Sequence, residues 1–181
     1  IQVASVADTF ARATELGATA LVPPMSVGEM GHLMVVEDPS GAAISFWQSA
    51  SEDAPGRYNE PGFLTWNELV TRDPEAARAF YGELLGWTWD ESEMPQGTYW
   101  VAMNRERMNG GMMRMTHEWP ETVPSHWMVY FGTDDVDAAT ERARSAGGSV
   151  HVEPMDIEVG RFASLADPTG APFTVFKGGD M

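Results

Sequence analysis

"GRFASLADPTGAPFTVFK", residues 160–177, reads as a strand, a tight turn and a second strand. Within the turn, Pro168 presets φ, Asp167 can bond the backbone that follows, and Gly170 releases the chain into the next strand. The same pattern stands 129 positions earlier, in "GHLMVVEDPSGAAISFWQ", residues 31–48. One such tetrapeptide is an ordinary hairpin turn, but in this chain the frame around it matches too. "VADTFARATELGATALVPPMSVGEMGHLMVVEDPSG" (6–41) runs against "DDVDAATERARSAGGSVHVEPMDIEVGRFASLADPTG" (134–170). Both give an acidic start, a short helix, a Gly-containing exit, a strand, Pro-Met, Gly, a strand, the turn and a strand. In the later copy Val136, Ala139, Ala143 and Ala146 form one helical stripe, with Asp134 or Asp135 as cap and Gly147–Gly148 as stop. Two matching frames of this length make a repeated supersecondary unit.

A looser third copy lies between them. "FLTWNELVTRDPEAARAFYGELLGW" (63–87) supplies a strand, Asp73 as N-cap, Pro74 at the first helical position, and a stripe of Ala76 or Ala77, Phe80 and Leu84. Gly86 ends that helix. "TYWVAMNRERMNGGMMRMT" (98–116) then predicts two or three strands, with turns at Asn104–Arg107 and Asn109–Gly111. The Ser-, Pro-, Gly- and charge-rich residues 49–60 read as a linker. The fold class expected is α+β, built from repeated βαβββ motifs in cupped mixed sheets. Residues 1–48 are the C-terminal half of a first module and residues 61–178 a complete one.

Composition narrows the function. A chain of 181 residues should bury roughly 70% of its unfolded surface, and 43% hydrophobic residues suits a globular core. A net charge of −16 argues against nucleic acid or an anionic membrane as partner. The absence of cysteine removes disulfides, thiolate metal sites and a cysteine nucleophile. No apolar run is long enough to span a membrane and no signal peptide is visible, so a cytoplasmic location is expected.

The unit order, with "RDPEAARAFYGELLGW" (72–87), "DDVDAATERARSAGG" (134–148) and "LADPTGAPFTVF" (165–176), resembles the vicinal oxygen chelate superfamily of glyoxalase I, bleomycin-resistance proteins and extradiol dioxygenases. "GFLTWNEL", "SHWMVYF" and "DIEVGRF" further resemble actinobacterial two-module proteins labelled glyoxalase-like or hydroxylase, in this chain without the first half-module. The resemblance implies a cupped sheet that in metal-using members holds a divalent ion through His and Glu on four strands. Carried over by position, those places fall on Trp66, Met128, Thr174 and a point within Gly110–Met115, with Ser45 the late position of the first half. Indole, thioether and hydroxyl do not replace imidazole and carboxylate around such an ion, so no metal and no other cofactor is expected.

If that geometry holds, the cup is lined by Trp66, Met113, Met128 and sparse polar groups: Glu68, His126, Tyr130 and Thr174, with Arg161 at its mouth. That composition suits a small planar or aromatic metabolite. A carboxylate at the inward position of Glu68 needs a partner or water. It is a candidate general base, with Tyr130 as its hydrogen-bond donor, or a polar tie to Asn67, Tyr130 or Arg161, and the tie is favoured because no nucleophile or metal stands beside it. Arg161 can fork onto an anionic ligand or, as the favoured reading, pair with Glu153, Asp156 or Glu158. The expected function is therefore metal-free binding of a small molecule. The alternative is a glyoxalase-like lyase or isomerase using Glu68 or a displaced metal.

A βαβββ motif cannot bury its apolar sheet face alone. Residues 61–178 contain a matched pair, which leaves 1–48, with Leu33, Val35, Ile44 and Phe46, without an internal mate. As the chain opens at Ile1 rather than Met, the mate is expected upstream in the gene. For the chain as given, the expectation is a homodimer.

Overall fold

The computed structural model describes residues 1–51, 56–94 and 97–178. In chain order the elements are α1 (Val6–Glu15), β1 (Thr19–Ser26), β2 (Gly31–Glu37), β3 (Ala43–Ser49), β4 (Leu64–Thr71), α2 (Pro74–Leu85), β5 (Thr88–Met94), β6 (Gly97–Asn104), β7 (Arg107–Arg114), β8 (His126–Gly132), α3 (Val136–Ser145), β9 (Ser149–Ile157), β10 (Gly160–Ala166) and β11 (Pro172–Gly178). This is the α+β repeat expected. Helix starts follow the capping residues: Ser5, Asp73 and Asp135 accept from Asp8 N, Ala76 N and Ala138 N respectively. Gly86 closes α2 in the left-handed conformation, φ 71°.

All three repeats share one strand pattern. The three strands after each helix form an antiparallel meander, and the last lies parallel to the strand that precedes the helix. Thus β7 runs beside β4, with Glu68 opposite Gly111, and β11 runs beside β8, with Thr174 opposite Tyr130. In the first repeat, Ile1–Val3 take that place beside β3, bonded through Val3 N and Trp47 N at 2.8 Å each. The hairpin repeat extends to backbone geometry. Gly31 and Gly160, 129 residues apart, both sit at φ 150°, and a Cβ at either would fall within 2.1–2.2 Å of a carbonyl oxygen of the next strand. Asn104 and Arg107 pair across the expected turn, but the second expected turn does not form. β7 continues through Asn109–Gly111, because Gly110 and Gly111 are ladder partners of Ala102 and Val101 in the sheet interior.

The described residues form two compact units, one from 1–51 and 68–127, the other from 56–67 and 128–178. In the first unit, residues 1–48 do find an internal mate. Val6, Ala13, Met34, Val36 and Phe46 share one core with Leu69, Ala77, Phe80, Tyr81, Trp100 and Met112. The expectation of an unpaired half-module is therefore corrected. It counted only the face that pairs motifs within a module, whereas in the structure the helix-bearing faces of two repeats close on one another. The Tyr81 hydroxyl donates to buried Asp38 Oδ2 at 2.7 Å across that contact, and Trp127 Nε1 donates to the same hydroxyl at 3.0 Å. Leu33 and Val35 lie on the other face of the β1–β3 sheet and stay half-buried, while Phe46 is fully enclosed. In the second unit, Val136, Ala139, Ala163, Leu165 and Val175 form a smaller core between β10, β11 and α3. No helix among the described residues is long and apolar enough to cross a membrane.

Candidate functional site

On the first unit, the sheet face turned away from α2 carries the sharpest polar group. Glu68 shares a ladder row with Gly111 and Val101, and the next row holds Val70, Met113 and Tyr99. The opposite face, with Leu69, Met112, Trp100 and Ala102, belongs to the core. Strand alternation thus sets Glu68 on the face away from that core. Glu68 is only 7% exposed, and Tyr99 donates its hydroxyl to Oε2 at 2.8 Å. Gly111 contributes no side chain beside it, so the row is narrow only at Val101. Met113 is half-buried, and so is Trp66, which lies on the part of β4 that belongs to the second unit.

On the second unit, Met128 and Tyr130 alternate with Val129 and Phe131 along β8, and Thr174 lies in ladder with Tyr130 and Ser164. Thr174 is fully buried and its Oγ1 has no hydrogen-bond partner among the described residues. Arg161 is engaged by acids: it forks onto Asp137 at 2.9 and 3.0 Å and reaches Asp156 at 3.0 Å. Those bonds raise the guanidinium pKa and hold the Asp137 carboxyl below its ordinary range. Of the acids weighed for Arg161 from sequence, Asp156 is the one it meets. His126 Nδ1 lies 2.8 Å from the Pro124 carbonyl oxygen, with Trp119 against its ring.

The positions to which the resemblance carries the family's metal ligands hold Trp66, Met128 and Thr174, and Gly110–Met115, where the fourth would stand, offers only glycine, methionine and Arg114. These donors do not fit a divalent ion that prefers imidazole and carboxylate. Among the described residues, no three His, Asp or Glu side chains converge as a ligand set.

Two cavities of about 690 and 160 Å³ lie on the second unit. Neither is lined by Trp66, Glu68, Met113, His126, Met128, Tyr130, Arg161 or Thr174. The larger is a groove on the opposite face of β8 and β11, under α3. Sequence reasoning missed Tyr99. The signal was the alternation of Tyr99, Val101 and Met103 against buried Trp100 and Ala102, which assigns Tyr99 to the face of Glu68 once β6 is paired with β7.

Residues 64–175 match the model of the Glyoxalase/Bleomycin resistance protein/Dioxygenase superfamily. The fold and the repeat define the class, and the chain belongs to this superfamily. CFP32 of Mycobacterium tuberculosis, named as a candidate glyoxylase, is 41% identical over 163 residues, covering 89% of this chain and 61% of that protein. The anthracycline biosynthesis protein DauV of Streptomyces sp. is 35% identical over 185 residues, covering 94% and 62%. The chain thus spans about three fifths of the length of these relatives. Among solved structures, the Mn(II)-bound glyoxalase of Novosphingobium aromaticivorans superposes with a TM-score of 0.64 at 14% identity, over 97% of this chain and 60% of that one. The 2,3-dioxygenase LapB of Pseudomonas sp. KL28 gives 0.62 at 20% identity, over 96% and 67%. At these identities the structural likeness carries the fold alone.

Proposed function

We propose that the protein binds a small planar or aromatic molecule without a metal, on the sheet face that carries Glu68. The observation that carries this reading is the Glu68–Tyr99 pair. A buried carboxylate, oriented by a phenol and flanked by Val101, Gly111 and Met113, is a fixed acceptor in apolar surroundings. Such an arrangement selects a flat, largely apolar ligand bearing one hydroxyl or amine donor. Tyr130, Met128 and Thr174 furnish a comparable face on the second unit, and Trp66 adds an indole on the strand that bears Glu68. The donor set at the family metal positions supports a metal-free site. Relatives named for anthracycline biosynthesis support a planar polycyclic ligand class.

The experiment is a titration of the protein with daunorubicin, followed by the ligand's fluorescence, beside thermal melts with Zn, Ni and Mn. The reading expects saturable binding that Glu68→Gln weakens roughly tenfold, as loss of a charged acceptor should. Absence of binding, or a large rise in melting temperature with one of the metals, overturns it. The same buried carboxylate favours a second reading, a lyase or isomerase in which Glu68 takes a proton next to a carbonyl. Metal-independent consumption of the methylglyoxal–glutathione hemithioacetal, lost in Glu68→Gln, would establish that reading instead.

A further inference from the structure

In each repeat the first strand after the helix lies at an edge: β1 pairs with β2 alone, β5 with β6 and β9 with β10. An edge strand presents a row of unpaired N–H and C=O groups, and proteins blunt it with proline, bulges or charge. β1 carries Pro23 and Pro24, and its register slips between Ala20 and Val22 and again between Val22 and Met25. β9 carries Pro154 and likewise has two slips in its pairing with β10. β5 has neither device. Thr88–Met94 contains no proline, and its seven residues pair in one unbroken register, from Thr88 opposite Met103 to Met94 opposite Gly97. Six of the seven are exposed, and Trp89 is half-buried.

What guards β5 instead is charge. Alternation sets Asp90 on one face of the sheet and Glu91 and Glu93 on the other, with no Lys or Arg on the strand. Glu91 meets Arg78 at 2.8 Å yet keeps half of its side chain exposed, and Glu93 accepts from Thr98 Oγ1 at 3.0 Å. We propose that the outer edge of β5 takes an extended, lysine- or arginine-rich segment of another protein as an added strand. The unbroken register supplies the backbone ladder that such a strand needs, and the acids select its chemistry. A proline at an edge rejects every strand, whereas a charge rejects only its own sign. A second copy would set Asp90, Glu91 and Glu93 against their own counterparts, and like charges directly opposite are destabilising. The net charge of −16 adds to that repulsion at longer range. A segment with cations at alternate positions lays them against Glu91 and Glu93, and the same field steers it there. This edge owes nothing to the ligand reading for Glu68 and stands if that reading fails.

The test is fluorescence anisotropy of a labelled heptapeptide of alternating Lys and Val, matched to the seven residues of β5 and titrated with the protein. Saturable binding is expected, and the same peptide with Glu for Lys should not bind. Two further peptides carry methyl groups on alternate backbone nitrogens, one in each register. An added strand turns every second N–H towards the edge, so one of the two should bind roughly tenfold more weakly and the other like the parent. Glu93→Lys, checked for an unchanged far-ultraviolet dichroism spectrum, should weaken the parent peptide roughly tenfold. No saturable binding overturns the proposal. So do two methylated peptides that both bind like the parent, which would leave only diffuse attraction to an acidic protein, and a Glu93→Lys protein that binds as the wild type does. Sedimentation of the chain as a dimer that the peptide dissociates gives the edge to a second copy and overturns it too.

Discussion

Asp38 and Asp167 open the same turn in two copies of one repeat, yet one is 3% exposed and the other lies nearer the surface. Both brace their turns with one carboxylate oxygen in the same way. The difference comes from what stands opposite. Residues 68–127 bring Tyr81 to Asp38, while within the second unit no described side chain takes that place over Asp167. Local sequence therefore specifies the hairpin, and the facing repeat specifies its environment. The core sizes follow the same division. The first unit encloses Tyr81, Phe46, Met34, Leu69 and Met112 completely, whereas the second fully encloses chiefly Leu165, Val136 and small residues.

The largest effect should come from emptying the doubled core. Phe46 is fully buried among residues of both repeats, and Phe46→Ala should cost about 3–5 kcal/mol by the usual large-to-small penalty. Phe131→Ala, at the open face of the second unit, should cost under about 1 kcal/mol. Urea unfolding of both variants checks the pair. Equal losses would mean that the first unit gains nothing from its internal mate.

Next in size is the tie between the repeats. Tyr81→Phe leaves the second oxygen of buried Asp38 without its donor and should cost about 1–3 kcal/mol. The effect has a pH signature. Burial first, and then the neighbouring Asp38 carboxylate, hold the Tyr81 phenol well above its ordinary value. The folded state therefore keeps the proton that an unfolded tyrosine releases near pH 10 or so. Its contribution is fully present below that unfolded value and is lost as pH rises towards the folded one. Thermal melts from neutral to strongly alkaline pH should show a steeper alkaline decline in the wild type than in Tyr81→Phe. Parallel declines would remove the tie from the account.

These contrasts also show which parts of the molecule can be read from the chain. The caps at Asp73 and Asp135, the stop at Gly86 and the two Asp-Pro-x-Gly turns obey rules that act within four residues, and each forms where expected. The repeat itself is visible because its turn and helix signals recur in order. The Asn109–Gly111 segment reads as a turn and is strand, since Asn and two glycines look alike whether they bend a chain or thin out a strand. There the decision belongs to the ladder partners Val101 and Ala102, which are distant from the local signal. Tyr99 and the Asp38–Tyr81 bond escape a sequence reading for a related reason: each joins residues more than 30 apart, across a register that only strand pairing fixes. The face of Glu68 is legible because alternation along one strand is enough to set it.

The smallest effect should have the opposite sign. Thr174 and Ser45 occupy the same place in their repeats, 129 residues apart. Ser45 is exposed, so its hydroxyl meets water and costs nothing, and Ser45→Val should change stability by less than about 0.5 kcal/mol. Thr174 is fully buried, and its Oγ1 has no partner among the described residues. A hydroxyl withdrawn from water without a replacement bond is destabilising by about 1–3 kcal/mol. Thr174→Val keeps the shape and removes the hydroxyl, so it should stabilise the protein by about 1 kcal/mol, read as a higher urea midpoint at an unchanged slope. A loss of stability instead would show that the hydroxyl has a partner in solution, an ordered water being the first to look for by high-resolution diffraction. That result would also bring the two repeats back into line, with a hydrated hydroxyl at each of the two equivalent positions.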